Sequence, residues 1–286
     1  MIQRSTIQLL RFPFSFFLLP VYLFALGMVP EINVSAALLI FFILHLLVYP
    51  SSNGYNSYMD RDEGSIGALE KPMQPTKQLF YVTIVMDLLA ITASLFISRI
   101  FTIGIIAYIL ASRAYSYRGI RLKQYPVTGY ATVVLFQGAL TFFLVYHGCS
   151  SSKTLQVPVA GIIASALLIG AFYPITQVYQ HESDRNDGVL TLSAMLGYRG
   201  TFIYTACLYA AAMAVLSWLF LRQHQPIKLL IIATVMLPAL VYFGRWASMV
   251  WTNTGMADFT HTMRMNLIAS LCSNLAFLII LTGRLI

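Results

Sequence analysis

Two stretches of this chain carry the residue types that bind metal ions and phosphates, in the same order. The first reads Tyr49-Pro50-Ser51-Ser52-Asn53-Gly54-Tyr55-Asn56-Ser57-Tyr58-Met59-Asp60-Arg61-Asp62-Glu63-Gly64. The second reads Tyr173-Pro174-Ile175-Thr176-Gln177-Val178-Tyr179-Gln180-His181-Glu182-Ser183-Asp184-Arg185-Asn186-Asp187-Gly188. They align without a gap at an offset of 124 residues. Asn53, Asn56 and Asp60 are spaced i, i+3, i+7, as are Gln177, Gln180 and Asp184, so each set shares one face of a helix. Carboxylates and carboxamides are hard oxygen donors of the kind Mg²⁺ prefers, with phosphate and water completing an octahedron. Asp60 and Asp184 offer anionic oxygens and Asn56 and Gln180 neutral ones. Asp62, Glu63, Glu182 and Asp187 stand by as auxiliary acids. Two such helix ends facing each other suit a Mg²⁺-bridged diphosphate.

The elements that position these residues are set by composition. The chain has 286 residues, 58% hydrophobic and 10% charged, with a net charge of +8. A soluble domain carries about 25% charged residues, so lipid is the expected solvent. A spanning helix needs about 20 apolar residues. Nine such runs are expected, at 9–29, 33–55, 78–98, 100–117, 126–147, 157–180, 201–221, 228–248 and 265–283. They form one all-α domain over residues 1–286, a bundle around a central apolar cavity, with helices 1–4 and 5–8 as a pseudo-repeat. Because the repeat covers an even number of spans, both motifs fall on one side. Cys149, Cys207 and Cys272 show no disulfide or zinc spacing, and Arg11 and Pro13 lead straight into a run long enough to span, without a cleavable signal peptide.

With the N-terminus inside, thirteen of the eighteen Lys and Arg residues fall on the inner side, as the positive-inside rule requires. Arg99, Lys153, Arg222, Lys228 and Arg284 remain outside. The expectation is a multi-pass protein of a bacterial inner membrane with both acidic motifs facing the cytoplasm. The basic residues are split among short loops, which argues against nucleic-acid binding.

Further residues bear on the site. Arg11 is either an interfacial anchor or an anion contact. His45 reads as a core residue. Asp87, mid-span and without an obvious partner, is a functional candidate by its cost in the membrane. Gln137-Gly138 reads as a close helix contact with pocket lining as the alternative. His181 points about 100° off the Gln177–Gln180–Asp184 stripe, which suits an orienting role. The stretch from Arg113 to Pro126 holds Tyr115, Arg118, Arg121 and Lys123. These serve either as positive-inside anchors or as counter-charges to a phosphate.

The chain resembles the UbiA superfamily of intramembrane prenyltransferases. The resemblance rests on Asn56-xxx-Asp60-Arg61-Asp62, on Lys71-Pro72, on Tyr115-Ser116 with Arg121-Leu122-Lys123 and Pro126, and on Asp184-Arg185 followed by Thr191-Leu192 and Leu196-Gly197. It implies nine helices and Mg²⁺-assisted transfer of a prenyl group from an isoprenyl diphosphate to a lipophilic acceptor. That acceptor is commonly aromatic, such as a quinone precursor. On this reading Asn53, Lys71, Arg121, Lys123, Gln177 and Arg185 bind the diphosphate, and Tyr55, Tyr115, Phe136 and Tyr179 face the allylic cation. The chain departs from the family pattern at Gly64, Gln74, Gln177 and Gln180, which leave the site with fewer charges. An intramembrane terpene cyclase, a non-catalytic isoprenoid-binding homologue and a transporter of an anionic lipid are the alternatives.

Overall fold

A computed structural model describes residues 2–283, so Arg284 lies outside the described residues. The chain enters through a broken element. Helix α1 (Arg4–Leu10) stops at Arg11, which adopts a left-handed conformation (φ 48°). A 3₁₀ stretch, Phe12–Phe17, follows, and then α2 (Leu19–Met28). The two parts meet at a bend of 43°. Pro13 and Pro20 each sit at a helix start, where a missing N–H costs nothing.

Helices α3 (Val34–Asp60), α4 (Lys77–Ser94), α5 (Arg99–Ser116) and α6 (Pro126–Cys149) come next. Then come α7 (Val159–Ile175), the short α8 (His181–Asn186), α9 (Leu192–Arg222), α10 (Pro226–Thr252) and α11 (Phe259–Thr282). Among the described residues, seven helices are long and apolar enough to cross a membrane, or eight if the bent α1–α2 pair is one span. Helix α5 coincides with the fourth expected span. It stands outside that set and carries Arg99, Arg113 and several hydroxyl side chains.

The two repeat copies do not end alike. The first runs as α-helix from Tyr49 to Asp60, entered through a π-helical segment, Phe42–Val48. Such i→i+5 bonding absorbs a local mismatch, here just ahead of Pro50. In the second copy α7 ends at Ile175 and a 3₁₀ turn covers Val178–Gln180. The Thr176 hydroxyl donates to the Tyr173 carbonyl at 2.7 Å. The Gln177 N–H, which an α-helix would pair there, donates to Pro174 O at 3.1 Å instead. A Thr side chain competing for backbone groups opens the helix in this way. Gln177, Gln180 and Asp184 therefore do not share one α-helical face, contrary to the spacing argument.

Glycine allows a close helix contact. A Cβ on Gly138 would lie 2.8 Å from Ala166 Cα and 2.9 Å from Ser165 O, so α6 and α7 meet backbone to backbone. Asp87 has a partner that sequence did not reveal. Arg113 on α5 forms an ion pair with it, Ser51 donates to Asp87 Oδ1 at 2.6 Å, and Arg113 Nη2 donates to Ser51 at 2.9 Å. This pair locks α3, α4 and α5 together. His45 is buried among Phe41, Tyr22 and Tyr49, ring to ring.

Candidate functional site

Both repeat copies line one cavity of about 300 Å³. Its mouth carries Asn53, Asn56, Asp60 and Asp62 from the first copy, and Gln177, Gln180 and Asp184 from the second. Its body is mostly apolar, with the aromatic rings of Phe24, Phe136, Phe172 and Phe277 among aliphatic and a few polar side chains. A polar end and a greasy interior therefore form one continuous space.

The mouth is built from helix ends. Helix α3 stops at Arg61, which is left-handed (φ 54°) and returns its N–H to Ser57 O. Arg118 donates to the exposed carbonyls of Met59 at 2.8 Å and Asp60 at 3.4 Å, a favourable place for a cation. The chain beyond α5 turns at Arg121 (φ 49°) into the 3₁₀ turn Leu122–Gln124. That turn brings Lys123 Nζ to Asp60 Oδ2 at 2.5 Å. Arg121 pairs with Asp187 and stands 3.9 Å from Asp60 Oδ1. One loop thus ties the two copies together with two cations.

The amides are oriented by their neighbours. Ser116 donates to Asn56 Oδ1 at 2.8 Å. Gln180 Nε2 donates to Ser65 O at 3.3 Å, which leaves its own carbonyl oxygen unengaged. Gln177 Nε2 donates to the Tyr173 phenol at 3.1 Å, and Tyr173 is hydrogen-bonded to Tyr115. Buried polar atoms without a hydrogen-bond partner at this mouth include Asp60 Oδ1, Gln177 Oε1 and Asn53 Nδ2. Burial, reinforced by the nearby Asp60 carboxylate, pushes the Asp62 carboxyl up to about 6. A mouth with unsatisfied oxygens and crowded carboxylates attracts a cation. No cluster of three His, Cys, Asp or Glu side chains able to hold a metal occurs among the described residues. Any metal here must take part of its shell from the carboxamides, from water and from its own ligand.

Several expected residues lie elsewhere. Tyr55 does not face the cavity. One residue along a helix turns about 100°, so Tyr55 falls off the Asn53–Asn56–Asp60 stripe and packs under Arg113, 4.1 Å from ring centre to guanidinium. Lys71 is exposed on the loop between α3 and α4 and is not among the cavity residues. Glu63, Glu182 and Arg185 are exposed and also stand outside the cavity. Asp187 contacts the site only through Arg121. Tyr115, Phe136 and Tyr179 do line it. His181 is held by Ser193 at 2.7 Å and stacks on Tyr198, which pins α8 to the start of α9.

Arg11 is the residue that sequence left undecided. Its side chain turns into the cavity mouth and donates to Gly67 O and Asn53 O, each at 3.3 Å. Asp60 and Asp62 line the same mouth. Its partners lie 56 and 42 residues along the chain, so no local pattern signals the contact.

Several solved structures share this fold. A UbiA homologue from Archaeoglobus fulgidus bound to DMAPP and Mg²⁺ is 19% identical over 97% of this chain and 99% of its own, with a TM-score of 0.71. The same homologue bound to GPP and Mg²⁺ also gives 0.71. The apo structure of a homologue from Aeropyrum pernix K1 is 16% identical over 94% and 98% of the two chains, with a TM-score of 0.67. No curated protein sequence matches the chain. The UbiA prenyltransferase family model matches residues 14–268, which cover most of the chain, both repeated motifs and most of the cavity wall, and the chain belongs to that family.

Proposed function

We propose that this protein transfers a prenyl group from an isoprenyl diphosphate to a lipophilic, aromatic acceptor within the membrane, with Mg²⁺ as cofactor. The observation that carries this reading is one cavity whose mouth holds Asp60, Asp184 and Lys123 and whose body is mostly apolar and rich in aromatic rings. A diphosphate head and a hydrocarbon tail match those two ends. A homologue of the same fold holds DMAPP in one structure and GPP in another, each with Mg²⁺.

The residues at the mouth fit the metal. Asp60 Oδ1 and Gln177 Oε1 are buried oxygens with no hydrogen-bond partner, and Mg²⁺ takes oxygen ligands of this kind. Asn56, Asp60, Gln180 and Asp184 would hold it, where it supplies Lewis-acid stabilisation of the leaving diphosphate. The protein's own charges do the rest. Lys123, Arg121 and Arg11 offset the negative charge that develops as the bond between the prenyl carbon and the diphosphate oxygen breaks. The electron pair leaves with the diphosphate. Tyr115, Phe136 and Tyr179 present ring faces to the allylic cation. The acceptor supplies the electron pair of the new bond and gives up one proton.

The wider architecture belongs to the same reading. Helix α5 and the bent α1–α2 element complete a nine-span single domain, with a parallel pseudo-repeat of spans 1–4 and 5–8. The Lys and Arg bias orients the mouth toward the cytoplasm of a bacterial inner membrane. The test is diphosphate release by the purified protein in nanodiscs from geranyl and farnesyl diphosphate, with Mg²⁺ or EDTA, with and without phenolic acceptors. Release that requires both Mg²⁺ and an acceptor supports the proposal. Mg²⁺-dependent release without acceptor would point to cyclisation or hydrolysis.

A further inference from the structure

The body of the cavity is not uniformly greasy, and its polar groups are unengaged. Asn266 and Ser270 stand one turn apart on α11, line the cavity, and are 6% and 7% exposed. Neither side chain has a hydrogen-bond partner among the described residues. Ser273, further along, is different because its hydroxyl already donates to Ala269 O at 2.7 Å. On another wall, Ser165 of α7 is fully buried, lines the same cavity, and its Oγ has no partner. A sealed hydroxyl left unpaired, as on Ser165, is costly, and with the unengaged Asn266 and Ser270 on the same cavity it points to a ligand with oxygen atoms.

Their depth separates them from the diphosphate site. Met263 Sδ accepts from the Ala68 N–H at 3.3 Å, which places Met263 at the mouth. Asn266 and Ser270 lie about 4.5 and 10 Å further along the helix at 1.5 Å per residue. Charge separates them too. Among the described residues the cations lining the cavity are Arg11 and Lys123. Both are at the mouth, where Lys123 holds Asp60 and Arg11 holds Asn53 O and Gly67 O. An ionised carboxylate at the depth of Ser270 would have no counter-charge, and burial of an unpaired anion is strongly unfavourable.

We propose that the prenyl acceptor is uncharged and bears hydroxyl or carbonyl oxygens, which Asn266, Ser270 and Ser165 receive below the diphosphate site. Amides and hydroxyls both donate and accept, so the subsite takes either oxygen type and rejects a carboxylate. This rests on the prenyl-transfer reading and narrows its acceptor class.

The experiment measures equilibrium binding to the full-length protein in nanodiscs with matched probes. These are para-hydroxybenzoate against its methyl ester, and dihydroxynaphthoate against dihydroxynaphthalene. Binding of Mg²⁺–geranyl diphosphate is measured in parallel. The neutral member of each pair is expected to bind at least about tenfold more tightly than the acid. Asn266→Leu is expected to weaken neutral binding about tenfold and leave geranyl diphosphate binding unchanged. Ser165→Ala and Ser270→Ala, which remove one oxygen each, test the same subsite if the leucine variant does not fold. Acid binding as tight as neutral binding overturns the inference, as does neutral binding indifferent to all three variants or absent for both pairs. If geranyl diphosphate binds normally in those cases, the prenyl-transfer reading survives. Failure of geranyl diphosphate itself to bind removes that reading and the inference with it.

Discussion

At the scale of single residues, the mouth of the cavity sets carboxylates against cations. Asp60 is held by Lys123 on one oxygen and left without a hydrogen bond on the other. Replacing Asp60 or Asp184 by Asn keeps the shape and removes one charge. Each variant is expected to lose Mg²⁺-dependent diphosphate release by about 10²-fold or more, since aligned electrostatic groups contribute on that order. Full activity in both, measured by a phosphate-coupled assay, would sink the assignment of these two residues. Arg11→Gln tests the residue that sequence left open. A charged hydrogen bond to substrate contributes about 1.5–3 kcal/mol. The KM for geranyl diphosphate is therefore expected to rise about tenfold or more, with a smaller change in kcat. An unchanged KM would return Arg11 to a structural role, as the tie between Asn53 O and Gly67 O.

At the scale of elements, what sequence made legible follows local periodicity and composition. The apolar runs gave the middle helices closely, but the first span is broken at Arg11, and α9 and α11 begin at Leu192 and Phe259, well ahead of the expected 201 and 265; the first polar stripe does lie on one helix. The second does not, because one hydroxyl, Thr176, captures a carbonyl and opens the turn. Spacing arguments assume a regular helix and do not register a single competing side chain. The partner of Asp87 was equally hidden, since Arg113 lies 26 residues away on another helix. That pair is partly buried, with side chains 12% and 18% exposed, and removing one member of a buried pair costs about 3–5 kcal/mol. Asp87→Asn is expected to destabilise the protein toward the lower end of that range. The double variant Asp87→Asn, Arg113→Gln should lose less than the two single variants added together. Additive losses in detergent unfolding would show that the pair is not coupled. Helix contact is tested the same way. Gly138→Ala forces a methyl against the backbone of Ala166 and is expected to cost about 1–3 kcal/mol. Gly244→Ala on α10 meets no atom within 4 Å and is expected to be neutral or to gain about 0.5–1 kcal/mol. Equal effects at the two glycines would contradict the backbone contact between α6 and α7.

At the scale of the molecule, the chain separates its chemistry along one axis. Asp60, Asp184, Lys123 and Arg11 meet at one end of the bundle, and the cavity runs from them into a mostly apolar body rich in aromatic rings. The opposite end is plain. There the loop between α2 and α3 pairs with the one after α6, as Asn33 N–H donates to Cys149 O at 2.8 Å. That both motifs meet was legible from the repeat, and they do line one cavity. Its walls were not, because Asn266, Ser165 and Phe24 come from distant helices with no shared pattern. A one-ended site has a consequence for orientation. Thirteen of the eighteen Lys and Arg residues lie on the mouth side by sequence, and each basic residue near a span end favours the cytoplasmic face. The mouth is therefore expected to open to the cytoplasm, where a water-soluble diphosphate leaving group is released. Labelling from each side of sealed right-side-out vesicles checks this, in a variant with Cys149, Cys207 and Cys272 replaced by Ala. A cysteine at Glu70, exposed in the loop beside the mouth, should react with an impermeant maleimide only after permeabilisation. One at Gln223, exposed in the turn between α9 and α10, should react in intact vesicles. The reverse pattern would place the diphosphate site on the outer face and remove the charge-bias argument, while leaving the chemistry of the mouth untouched.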